Sequence, residues 1–135
     1  MEDLFALSFS KNKINSISSL GLAHIGDGVY ELLCRSWLCV HGDQTVKTLH
    51  RDTIALVKAT KQAEFAEQLL PLLTEEEHAW FRRGKNAHIS VPKSATREQY
   101  ALATGLEALF GALYLSGQTQ RLNQLFLIII EETEG

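Results

Sequence analysis

Apolar residues recur along this chain at spacings of three and four, and strand-like alternation is scarce. Leu20, Ala23, Val29, Leu32, Leu33 and Leu38 keep that spacing over much of one run. Ser18 and Ser19 precede the run, and His41-Gly42 supplies its stop. The pattern resumes near Thr45 and predicts helix as far as Leu70, with a break around Ala59 and Thr60. Pro71 ends or kinks that segment. Thr74 with Glu77 forms a capping box that opens a short helix, closed by Gly84. Residues 84–96 show no periodicity and carry loop residues. Thr96 with Gln99 opens a second strongly apolar helix that Gly117 closes, and Thr119 caps the last one. The expectation is an all-α fold of five or six helices with antiparallel neighbours.

The chain has 135 residues, which favours one domain over 1–135, with a core over about 18–133. Apolar residues make up 45% and charged residues 21%, which argues against disorder. The longest apolar run, Leu125 to Ile130, is too short to span a membrane, so no membrane partner is expected. The two cysteines, Cys34 and Cys39, form no metal-binding pattern and read as buried apolar residues of a reduced compartment. The N-terminus lacks a secretory pattern. The net charge of −3 argues against a surface that binds nucleic acid all over. It leaves room for one local basic cluster: Arg82, Arg83, Lys85, Lys93 and Arg97 lie within sixteen residues that hold no acid. Gly84, Asn86 and Ser90 among them can present donors to phosphates.

Two acids stand where helix patterning disfavours them. Asp27 sits between Gly26 and Gly28 inside an apolar helix, and flanking glycines cost about 1 kcal/mol each relative to Ala. Glu31 follows one turn on, on the same face. Glu107 is the only acid between Glu98 and Glu131, with Gly105 and Gly111 around it. If the two apolar helices pack together, the two carboxylates repel and each loses hydration. A divalent cation resolves both problems, and Mg²⁺ is suited to one or two carboxylates plus water and phosphate oxygens. His24, close by, reads as a core histidine rather than a ligand.

These residues resemble the catalytic domain of the ribonuclease III family. The signature core is Ile25-Gly26-Asp27-Gly28-Val29, and the later core is Glu107-Ala108-Leu109-Phe110-Gly111. Val29-Tyr30-Glu31, the run from Arg82 to Ala87 and the pair Pro92-Lys93 are similar to the short Mini-ribonuclease III branch. The resemblance covers roughly Leu20 to Leu125. It implies a helical endonuclease domain in which Asp27 and Glu107 are catalytic and bind Mg²⁺ (Mn²⁺ as a substitute), with Glu31 as an accessory acid. It implies that Arg82, Arg83, Lys85, Asn86 and Lys93 hold double-stranded RNA, and that the enzyme is a homodimer. It further implies a precursor of 23S ribosomal RNA as substrate, in a bacterial cytoplasm or a plastid-like compartment. Leu32, Trp37 and Leu38 suit a dimer interface or a monomer core equally. The chain departs from longer members at Leu20, Ala23 and Thr104, where those carry further acids. Their C-terminal double-stranded-RNA-binding pattern is not found here, so RNA binding is expected from the catalytic domain. A catalytically degenerate helical module that binds RNA or protein is the alternative.

Overall fold

The structure is a computed structural model that describes residues 2–42, 45–87 and 95–134. The described residues form seven α-helices, with one 3-10 turn and no strand. In order these are α1 (Lys11–Asn15), α2 (Ser19–His41), α3 (Val46–Val57), α4 (Ala59–Leu69), α5 (Glu75–Lys85), α6 (Arg97–Leu115) and α7 (Thr119–Glu134). Pro71 lies in the 3-10 turn Leu70–Leu72 that separates α4 from α5.

Helix starts follow from local side chains. The Ser18 hydroxyl accepts from the Gly21 N–H at 2.9 Å. Both capping boxes close: Thr74 with Glu77, and Thr96 with Gln99. Each satisfies two donors that a helix end leaves unpaired. At the other end of α6, Gly117 takes a positive φ of 76° as the chain turns into α7, the left-handed conformation that only glycine adopts without cost.

Helix α6 is the axis of the fold, packed against α2, α5 and α4. Twelve of its nineteen residues are buried. Small residues on it let neighbouring backbones approach. A Cβ on Gly26 of α2 would come within 1.6 Å of the Glu107 carbonyl oxygen, and one on Gly111 within 2.1 Å of the Leu22 carbonyl oxygen. On the other side, a Cβ on Gly84 would lie 2.6 Å from the Ala108 Cβ. Gly84 is therefore a packing residue inside α5, not the stop expected; α5 continues to Lys85 and is capped by Asn86. Arg82, Arg83 and Lys85 are helical, and their charges oppose the negative end of the α5 dipole.

Three further expectations change. The buried stripe of α2 runs through Leu22, Ala23, Gly26, Tyr30, Cys34 and Leu38. Leu20 and Leu32 are exposed instead, and so is His24, which is not a core histidine. Cys34 is buried as expected, whereas Cys39 is exposed. The core also takes in Ile14 of α1, ahead of the 18–133 span, at 0% exposure.

The segment from Val46 to Leu69 breaks at Lys58, one residue before the expected position, where the backbone turns extended (φ −68°, ψ 150°). This joint leaves the last carbonyls of α3 without helical partners. The Tyr30 hydroxyl donates to the Leu56 carbonyl at 2.6 Å, and the Gln62 Nε2 donates to the Val57 carbonyl at 2.8 Å. Side chains from α2 and α4 thus cap the end of α3. A buried ion pair ties α7 to the bundle: Arg121 Nε lies 2.8 Å from a Glu77 carboxylate oxygen. The same guanidinium donates to the Leu72 carbonyl. Among the described residues, no helix is long and apolar enough to cross a membrane.

Candidate active site

The glycine contact between α2 and α6 places Asp27 beside Glu107. Gly26 presses its backbone on Glu107. The next side chain, Asp27, therefore emerges at the rim of the helix crossing, where it is exposed. Glu107 projects from α6 into the crossing and is only partly exposed. The two acids are thus brought together as expected, but at the edge of the core rather than within it. Nothing lies within 4 Å of where a Cβ on Gly28 would be, so this glycine serves no close packing within the described residues.

Burial pushes the Glu107 carboxyl up to about 8, and the charge of Asp27, within hydrogen-bonding reach, pushes in the same direction. At neutral pH the Glu107 carboxyl therefore holds its proton. Burial likewise raises the Tyr30 phenol and lifts the Cys34 thiol to about 12. Both groups stay neutral, which leaves Asp27 and Glu107 as the carboxyl oxygen donors of this region.

Glu31 lies one turn from Asp27 and pairs with Arg35 at 2.9 Å on the outer surface of α2. Thr104 spends its hydroxyl on the Tyr100 carbonyl of its own helix. Leu20 and Ala23 offer no oxygen. Among the described residues, no group of three or more His, Cys, Asp or Glu side chains comes together. The donor set is two carboxylates, one of them holding a proton against its neighbour's charge. That set fits a hard divalent cation that retains several waters, such as Mg²⁺.

Arg82, Lys85 and Asn86 are exposed at the end of α5. Arg83 is not available in the same way: its guanidinium donates to the Ile17 carbonyl and to the Ser19 hydroxyl. It anchors the start of α2 to α5. Lys93 lies outside the described residues. Of the three residues expected to suit a dimer face, Leu38 belongs to the core. Trp37 is half-buried and stacks on His41, leaving Leu32 as the exposed one.

One residue near the site was not anticipated, Gln62. Gln62 is 2% exposed, and its amide offsets part of the upward push on the Glu107 carboxyl. Its position in the α4 stripe Gln62, Phe65, Ala66, Leu69 was the available signal: a polar residue at an apolar register position.

The model of the ribonuclease III domain matches residues 20–118, and the chain belongs to the ribonuclease III family. Within it, the chain groups with the Mini-ribonuclease 3 proteins. The Mini-ribonuclease 3 of Symbiobacterium thermophilum is 44% identical over 111 residues, covering 82% of this chain and 85% of that protein. The Mini-ribonuclease 3 of Synechocystis is 40% identical over 116 residues, covering 86% and 80%. The crystal structure of a Fusobacterium nucleatum protein is similar with a TM-score of 0.81 and 31% identity, covering 90% of this chain and 98% of that one.

Proposed function

We propose that this ribonuclease III-type enzyme cuts double-stranded RNA with a divalent cation, Mg²⁺ or in its place Mn²⁺, held by Asp27 and Glu107. The observation that carries the reading is the placing of the partly buried Glu107 carboxyl beside Asp27, where α2 crosses α6. Such a pair is unfavourable alone and becomes favourable with a cation. When bound, the cation activates water and offsets charge that develops on the phosphate.

The chain's own residues set the conditions. Glu107 loses its proton as the cation is taken up, so uptake is favoured as pH rises. The buried flank around Glu107 limits water and strengthens its interactions. Asp27, exposed at the rim, faces the side from which a phosphate can approach. Arg82, Lys85, Asn86 and Lys93 bind backbone phosphates, which position a duplex without reading sequence. Arg83 supports this end of α5 through its hold on α2. Glu31 acts from one turn away, through charge.

The exposed face of α2 supports a homodimer: Leu20 is 45% exposed and Leu32 54%, with bare Gly28 between them. Two copies joined there put one site on each strand of a duplex. A precursor of 23S ribosomal RNA in the bacterial cytoplasm is the substrate this reading favours. Incubation of duplex and single-stranded RNA with the protein, in Mg²⁺ or in EDTA, tests it. Cleavage of the duplex in Mg²⁺ alone is expected. An intact duplex under both conditions would leave a non-catalytic RNA-binding module.

A further inference from the structure

We draw no further inference here: the strongest candidate, the cavity between α2 and α3 lined by Arg35, Cys39, Leu49, His50 and Thr53, rests on a single exposed cysteine beside an Arg35 already paired with Glu31, and nothing in the structure shows what fills it.

Discussion

Gly26 and Glu107 touch through their backbones so closely that a Cβ on Gly26 would stand 1.6 Å from the Glu107 carbonyl oxygen. This contact sets the crossing of α2 and α6, and with it the placing of Asp27 beside Glu107. Gly26→Ala should therefore force the helices apart, with a loss of about 3 kcal/mol or more. Gly28→Ala, two residues on, meets nothing within 4 Å. In a monomeric chain it should stabilise by up to about 1 kcal/mol through helix propensity. Urea denaturation of the two variants checks the contrast. Equal effects would contradict this packing.

The legibility of these features in the sequence divides by how local their causes are. Helix starts at Ser18, Thr74 and Thr96 were readable because a cap is made within four residues. Asp27 and Glu107 stood out because each interrupts an apolar helix. Their unequal burial was not readable, since it depends on where the α2–α6 crossing falls. The same crossing turns Leu20, His24 and Leu32 outward, which spacing alone does not specify. Gly84 looked like a stop because its partners, Thr104 and Ala108, are distant in sequence. Helix α1 is five residues long and owes its place to Ile14 in the core, which no local pattern announces. Gln62 stands out only as a polar residue in the apolar stripe of α4, and its bond to Val57 depends on the joint at Lys58.

Glu77 and Arg121 form the most buried ion pair among the described residues, with side-chain exposures of 4% and 24%. Burial opposes charge on Glu77, but the hydrogen bonds from Arg121 and Thr74 hold its carboxyl below the usual value. Removing the guanidinium leaves a buried charge alone and opens the hold on Leu72. Arg121→Met should cost about 3 kcal/mol. A melting temperature lowered by roughly 10 °C at neutral pH is the expected readout. The stabilisation from Glu77 is present above its unfolded value and is lost as pH falls through its lower folded value. The gap between variant and wild type should therefore narrow in acid.

Glu107 gives the opposite pH dependence. Its carboxyl titrates at about 8 in the folded chain against an ordinary 4.5. Between these values the metal-free folded chain holds more protons than the unfolded one, so its stability falls as pH rises. Glu107→Gln should flatten that fall, and should be the more stable protein at about pH 8 without metal. Mg²⁺ should raise the melting temperature of wild type, most strongly at the same alkaline end, and leave Glu107→Gln unmoved. Parallel pH curves for the two metal-free proteins would contradict the buried, charge-coupled Glu107.

The basic residues at the end of α5 should separate by role. Arg82→Ala with Lys85→Ala should weaken binding to every duplex alike. The slope of log affinity against log salt should shrink by roughly 0.7–0.9 for each phosphate left without its protein cation. Arg83→Ala should act mainly on stability, lowering the melting temperature because Ile17 and Ser19 are no longer held. An unchanged salt slope in the first variant would remove Arg82 and Lys85 from the RNA-binding surface.

The most direct test of the catalytic pair is cleavage of one duplex RNA in Mg²⁺ by wild type, Asp27→Asn and Glu107→Gln, with binding of the same RNA measured alongside. Both substitutions keep size and shape while removing one charge that holds the cation. The expected result is cleavage by wild type, loss of at least about a hundred-fold in each variant, and duplex binding retained by all three. Full cleavage by either folded variant would contradict the assignment of that carboxylate to the catalytic centre.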